Sequence, residues 1–584
     1  MDSEIFYVLV GAVAVAAVAR WRGWPAPLLV TVVALALSFI PAVPNLEIDG
    51  ELLLNLVLPP LLYSAALDVS FVNFRQSLPQ IRRLGIWLVL ITALAVGLIA
   101  FWIMPSLTLP GALLLGAIVS PPDAVSAAAI GRRLGLPRRI MTVLSGESLI
   151  NDATSLTLFR VLVAIIAGAT VTVLDGVVQF VIAVIVGVGI GLLFGIVIHQ
   201  LRLRFADPVV VGTFGLLVPF GAYAIAEHLQ GSGVIAVVAM GLYVGYKAPT
   251  TSYTMRQQER PVWLSVDLLL ESFVFAYIGL QLPGVLSELE ASSDAGVLHT
   301  IGLSAAVLVI VLIVRPVYVF ASYSWGRWRQ AAKLARWRAG VERRGAVGPP
   351  PGRKSAQRPV TEPQIALHLQ PDLSRKDRVV ISWAGMRGVV TLATAAAVAD
   401  VAPGLPDSAG HAIVFVAFVV TVGTLLMQGL TLPLLIRRLG VADADEKVED
   451  ARELEAVFAR THAEGRAYLA ERRTEWEQRF GTAFSSKFDK MAGSLTRFES
   501  DAVRAQRVES AVAASSDPTR AVPTYDDYAE LSRGWLEVRR RVVIEERNAG
   551  TLNEEVMREL IVAMDAEELT LDTRGDLHGA RNEG

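Results

Sequence analysis

Apolar segments of about 20 residues, separated by loops of alternating charge character, constrain this chain more than any other feature of its sequence. Inside hydrocarbon every backbone N–H and C=O must be satisfied within the protein, and a run of this length achieves that as a helix. About thirteen such segments can be placed, at roughly 5–19, 26–40, 51–71, 84–104, 110–131, 138–167, 173–199, 208–227, 233–246, 262–282, 297–323, 378–401 and 409–436. The composition, 53% hydrophobic and 18% charged, fits a polytopic chain. The absence of cysteine excludes disulfides, thiolate metal sites and thiol nucleophiles. The start, MDSEIFYVLVGAVAVAAVA, has an acidic flank where a cleaved signal peptide has a basic one, and reads as a first span.

The loops sort by charge. One set carries Arg20 and Arg22; Arg75, Arg82 and Arg83; Arg132, Arg133, Arg138 and Arg139; Arg202 and Arg204; Lys247, Arg256 and Arg260; and a basic stretch over 324–377. The alternate set, from PAVPNLEIDGE to DVAPGLPDSAG, has no Lys or Arg. The positive-inside rule places the first set in the cytoplasm, which puts the amino terminus outside and the carboxyl terminus inside and requires an odd number of spans. The expected architecture is an all-α polytopic membrane protein: a transmembrane domain over 1–440 and a cytoplasmic helical region over 441–584. Loop 324–377 begins SWGRWRQAAKLARWRAGVERR, whose interleaved Trp and Arg read as an interfacial helix on an anionic inner leaflet. The Pro/Gly-rich GAVGPPPGRKSAQRP after it reads as a flexible linker. The charged segments after 441 read as a solvated helical tail, with regulation as the alternative role; nothing points to nucleic acid.

Two spans carry signs of a break. In segment 110–131, SPPDAV places Pro121 and Pro122 midway, so carbonyls near Ala117 and Ile118 lose their helical partners just before Asp123. In segment 378–401, GMRG flanks Arg387 with Gly385 and Gly388. The two lie seven spans apart and therefore run antiparallel. That is the relation expected of inverted six-helix repeats with two broken helices crossing near the midplane.

Ionisable residues inside spans face cavities, partners or transport paths. On a helix through SGESLINDATSLTLF, Ser148, Asp152 and Ser155 share a face, while Glu147 lies about 140° from Asp152. Depth along the membrane matches Glu147 with Arg387 as a structural ion pair, and Glu271 with Arg315 as a second. Arg160, Asp68 and Asp267 receive no partner. Asp152 is left facing Ser148 and Asp123. A carboxyl withdrawn from water holds a proton to higher pH than usual, and when ionised is a hard oxygen ligand for a small cation. H⁺ and Na⁺ competing for one carboxylate is sufficient chemistry for exchange. One carboxylate swapping one H⁺ for one Na⁺ moves no net charge, and the non-ionising Asn151 beside it fits that stoichiometry.

GESLINDA, SPPDAV, GMRGVV, LPPLLYSAAL and FVFAYIGLQLP together resemble the bacterial monovalent cation/proton antiporters of the NhaP and sodium–proton exchanger type, over roughly residues 1–440. The resemblance implies thirteen helices, a homodimer, and an elevator-like movement of a core domain in a bacterial inner membrane. It implies a Na⁺ site at Asp152, Asp123 and Ser148 with the Pro122 carbonyl, Glu147–Arg387 as the stabilising pair, and Asn151 as the mark of electroneutral exchange. No cofactor is implied beyond the transported Na⁺ (with Li⁺ or K⁺) and H⁺. Two departures stand out: Ser64 occupies a position where the family often has an acid, for which Asp68 one turn later is the candidate substitute, and SPPDAV has Pro122 and Ala124 where Thr and Pro are common. A K⁺/H⁺ antiporter and a tail-gated cation channel are the alternatives. An enzyme is not expected, since neither a GxSxG elbow nor an HExxH motif is present.

Overall fold

A computed structural model of the chain describes residues 2–582 except 42, 44–49, 170–172, 206, 291–293, 347–372, 399–401, 403, 442–443, 483–484 and 497–524. Among the described residues the secondary structure is helical. The helices are α1 (Asp2–Arg22), α2 (Ala26–Leu37), α3 (Gly50–Asp68), α4 (Phe71–Arg82), α5 (Val89–Ile103), α6 (Thr108–Val119), α7 (Ala124–Leu134), α8 (Arg138–Ile166), α9 (Val173–Arg204), α10 (Pro208–His228) and α11 (Gly233–Lys247). They continue with α12 (Tyr253–Leu280), α13 (Leu282–Glu290), α14 (Asp294–Ala346), α15 (Arg375–Trp383), α16 (Val389–Ala396), α17 (Asp407–Leu439), α18 (Ala444–Phe480), α19 (Ser485–Thr496), α20 (Tyr525–Ala549) and α21 (Glu554–Asn582).

Nine helical stretches among the described residues are long and apolar enough to cross a membrane, and α2, the Leu52–Asp68 part of α3, and Pro105–Val119 are shorter apolar helices. The remaining expected segment, 378–401, is interrupted between α15 and α16. Both expected breaks have local causes. Helix α6 stops at Val119 and α7 starts at Ala124, because Pro121 and Pro122 offer no N–H to the preceding turn. Helix α15 opens with a capping box between Ser374 and Asp377 and stops at Trp383, where the Ala384 N–H makes its last helical bond, to Val380, and Gly385–Gly388 lie outside helix before α16. One sequence expectation is corrected. The span at 297–323 and the basic segment after it form one helix, α14, because WGRWRQAAKLARWRA contains no breaker strong enough to separate them. The Pro/Gly-rich linker that follows lies almost wholly outside the described residues.

The chain divides into two compact bodies: Met1–Tyr246 with Gln258–Ala442, and Lys247–Gln257 with Asp443–Gly584. In the first, small residues bring helices close around the break. A Cβ on Gly116 of α6 would lie 2.2 Å from the Ala93 carbonyl oxygen of α5. Buried Leu114, Leu115, Ile118 and Val119 then seat α6 among Ile413, Val416 and Val420 of α17. The second body is a packed helical unit, not only a solvated tail. Trp476, Phe488, Trp535, Leu536 and Met557 share its core. Helices α18 and α20 interlock, since a Cβ on Gly465 would strike Trp535 and one on Gly534 would strike the Tyr468 hydroxyl. The loop 247–257 belongs to this body: Arg256 pairs with Asp565, and Tyr253 donates to Asp572.

Candidate ion-binding site

Helix α8 carries Glu147, Ser148, Asn151, Asp152 and Ser155. It grips the α6–α7 break with two of them. Asn151 Nδ2 donates to the Pro122 carbonyl at 2.7 Å, and Ser155 Oγ donates to the Ala117 carbonyl at 2.9 Å. Ser120 Oγ reaches the same Ala117 oxygen at 2.9 Å. The Ala117 carbonyl, one of those that the prolines release, is thus satisfied by side chains, as is the Pro122 carbonyl beside the break. Asp152 is 7% exposed and makes no hydrogen bond among the described residues. Asp152 and Asp123 lie within electrostatic reach of each other. Ser148 precedes Asp152 by one turn and is half-buried.

The two breaks meet. The Asp123 N–H donates to the Met386 carbonyl at 2.6 Å, joining the α6–α7 break to the α15–α16 break. The Asp123 carboxylate lies against Gly388, where a Cβ would come within 2.5 Å of Oδ2. Glycine at 388 is what allows an acidic side chain to lie on the opposite backbone. Arg387 then ties the crossing together. Its Nε donates to the Val119 carbonyl at 3.0 Å, Nη2 to the Ser120 carbonyl at 3.4 Å, and Nη1 to the Gly385 carbonyl. Its backbone N–H donates to Thr424 Oγ1 of α17 at 3.0 Å. A guanidinium at the C-terminal end of α6 meets the negative end of that half-helix, where a cation is favourable.

This arrangement corrects both expected ion pairs. Glu147 pairs with Arg315 of α14, through Nη2 to Oε2 at 2.8 Å and a second bond from Nη1 to Oε1. Arg315 Nε also donates to the Ile381 carbonyl of α15 at 3.0 Å. Arg387 lies within the fields of both Glu147 and Arg315, yet its guanidinium donates to the carbonyls of Val119, Ser120 and Gly385. Glu271 does not pair with Arg315; it lies in the field of Asp123 and Asp267. The error has a physical source, because depth along the membrane cannot separate two arginines at one level, Arg315 on α14 and Arg387 in the α15–α16 break. Of the residues left without partners, Arg160 pairs with Glu227 of α10, and Asp267 accepts a hydrogen bond from Ser64. The partner of Ser64 is therefore Asp267, which the sequence reading did not connect with it. Asn151–Pro122 and Ser155–Ala117 also escaped that reading, although the proline-freed carbonyls pointed to a need for donors nearby.

The model of the family described as sodium/hydrogen exchanger, transmembrane, matches residues 5–438. The chain belongs to the sodium/hydrogen exchanger family. An uncharacterised Na⁺/H⁺ exchanger of Mycobacterium tuberculosis is 32% identical over 576 residues, covering 97% of this chain and 96% of the relative. The Na⁺/H⁺ antiporter ApNhaP of Aphanothece halophytica is 30% identical over 424 residues, covering 72% and 71%. Among solved structures, the sodium proton antiporter MjNhaP1 of Methanocaldococcus jannaschii superposes with a TM-score of 0.54 at 18% identity, covering 76% of this chain and 99% of that one. That likeness supports the exchanger fold around the crossed breaks. The mycobacterial relative matches nearly the whole chain, tail included, whereas the Aphanothece relative matches about the length of the first body.

Proposed function

We propose that this exchanger takes up Na⁺, with Li⁺ as a second substrate, in exchange for H⁺ at Asp152 without moving net charge. The observation that carries this reading is a buried carboxylate, Asp152, within electrostatic reach of Asp123, whose N–H joins the two helix breaks at Met386. Asp123 and Ser148 supply further oxygen ligands for the cation. The Pro122 carbonyl contributes a lone pair beyond the one that accepts from Asn151. Arg387 offsets the charge of the α6 end, so a cation at Asp152 does not compete with unsatisfied carbonyls. Loss of a proton from Asp152 opens the cation site, and its return expels the cation.

The protein works as a homodimer in a bacterial cell membrane, with the amino terminus outside and the second body in the cytoplasm. The exposed Trp325, Trp328 and Arg336 of α14 face anionic headgroups on that side. A relative from Bacillus pumilus is named a sodium, potassium, lithium and rubidium/H⁺ antiporter, which favours K⁺ as a second reading of the substrate. In proteoliposomes with an internal pH dye, wild-type protein alkalinises the lumen on addition of external Na⁺, as H⁺ leaves in exchange for entering Na⁺, at a rate insensitive to an imposed potential. Asp152→Asn gives no Na⁺-dependent pH change while purifying with the wild-type elution profile. Exchange by that variant, or a rate that follows the potential, contradicts the proposal; a larger response to K⁺ than to Na⁺ favours the second reading.

A further inference from the structure

Helices α4 and α5 belong to one continuous helical stretch, Phe71–Ile103, that is π-helical over Arg83–Leu88. A π turn takes in more residues than an α turn, which widens the helix locally. The Arg83 carbonyl at its start accepts from the Tyr318 hydroxyl of α14 at 3.0 Å. The turn, RLGIWL, contains no proline, so a missing N–H inside it is not the cause. Turns of this kind recur at functional sites, and this one lies against α8.

Two reciprocal contacts hold this stretch to α8. Gly146 of α8 lies under Ile81, whose Cγ1 would be 2.9 Å from a Cβ placed there. Four residues further along both helices the roles reverse, and Gly85 lies under Ile150. A Cβ on Gly85 would come 2.9 Å from the Ile150 Cβ, 3.0 Å from its Cγ2 and 3.3 Å from the Asn151 backbone nitrogen. Buried Leu84 and Leu88 share a core with Ile140, Val143 and Leu144 of α8. Helix propensity alone favours Ala over Gly at 85 and 146, so close approach is what the missing side chains provide.

This approach fixes the height of Asn151. The residue is wholly buried, its Nδ2 donates to the Pro122 carbonyl at 2.7 Å, and its Oδ1 accepts no hydrogen bond among the described residues. With one side-chain bond, the amide is placed by its backbone, and that backbone is what Gly85 approaches. A shift of about 0.5 Å carries a bond of this length to the edge of hydrogen-bond range. Asp152 is the next residue of the same helix and moves with it.

We propose that Gly85, in the π turn, is a positioning residue for exchange: by admitting Ile150 it sets the depth of α8 at which Asn151 reaches Pro122 and Asp152 stands beside the break. The proposal rests on the exchange reading above and adds to it a determinant of apparent Na⁺ affinity outside the ion's own ligands. Gly85 acts through α8 and contributes no ligand itself.

The test is Na⁺ dependence of exchange in proteoliposomes carrying full-length wild type, Gly85→Ala, Ile150→Ala, the double variant or Asp152→Asn. Gly85→Ala is expected to raise half-saturating Na⁺ about fivefold, the effect of weakening one hydrogen bond at the site, with a smaller loss of maximal rate. Ile150→Ala loosens the same contact and is expected to raise it about twofold. In the double variant the smaller residue at 150 makes room for the methyl at 85, and half-saturation falls back to about twofold. Independent effects instead multiply to about tenfold, and that result overturns the positioning role. A purely structural Gly85 lowers yield and maximal rate with half-saturation unchanged, which also overturns it. Where Gly85→Ala fails to fold, Ile150→Ala decides: a raised half-saturation supports the role and an unchanged one overturns it. Asp152→Asn separates the two proposals, because inactivity there with unchanged half-saturation in the other variants rejects the positioning role and retains the exchange site. Exchange by Asp152→Asn rejects both.

Discussion

The pairing of Glu147 with Arg315 makes a sharp energetic prediction. Glu147 is 1% exposed and Arg315 2% exposed, and the contact is two-pronged. Removing one partner strands the other charge in the interior, which costs about 3–5 kcal/mol. Arg387→Met is also destabilising, because the carbonyls of Val119, Ser120 and Gly385 lose a donor at about 1–3 kcal/mol for each buried acceptor. Single substitutions therefore cannot tell which arginine Glu147 depends on. A double-mutant cycle can. Glu147→Gln with Arg315→Met should show a coupling of about 2–3 kcal/mol, and Glu147→Gln with Arg387→Met less than about 1 kcal/mol. The measurement is the unfolding rate of the purified full-length protein in detergent, where about 1.4 kcal/mol appears as a tenfold change. Coupling concentrated on Arg387 instead of Arg315 refutes this account of the site's scaffold.

Three further outcomes follow from contacts at the breaks and in the second body. Gly388→Ala places a Cβ 2.7 Å from the Cβ of Asp123, so the crossing must shift; exchange in proteoliposomes should fall at least tenfold even where the protein still elutes normally. Asn151→Asp removes the amide that donates to the Pro122 carbonyl and sets two oxygens against each other. Instead of a voltage-driven exchanger it should give a slower one, checked by comparing rates with and without an imposed potential. In the second body, hydrogen bonds from the Thr551 hydroxyl and then from Arg460 hold the Glu546 carboxyl below the usual glutamate range. Its contribution to stability is therefore present at neutral pH and is lost as pH falls through that lowered value. Glu546→Gln should flatten the acid limb of tail proteolysis in the full chain, and an unchanged limb contradicts this.

The legible parts of the structure were those with local causes. Pro121, Pro122, Gly385 and Gly388 mark breaks because a missing N–H or a missing Cβ acts within one turn. The faces of α8 followed from helical geometry alone. Lateral choices were illegible, since nothing along the chain says which of two arginines at one depth lies nearer Glu147. Asn151 illustrates a subtler limit. Its inability to ionise can be read from its chemistry, but its bond to Pro122, 29 residues away, depends on how α8 lies across the break. Ser64 and Asp267, 203 residues apart, are another case, where a polar residue in an apolar helix announced a partner without naming it.

Loop 247–257 has a practical consequence for anyone dissecting this protein. The second body is discontinuous in sequence, so no cut at residue 442 releases it whole. A fragment beginning at 443 carries Asp565 and Asp572 without Arg256 and Tyr253, and a truncated exchanger keeps those two side chains without their carboxylates. The body is also joined to the rest of the chain at three points, before 247, after 257 and before 443, instead of at one. The loop between α11 and α12 cannot rearrange alone: it must take the helical body with it or break the Arg256–Asp565 pair.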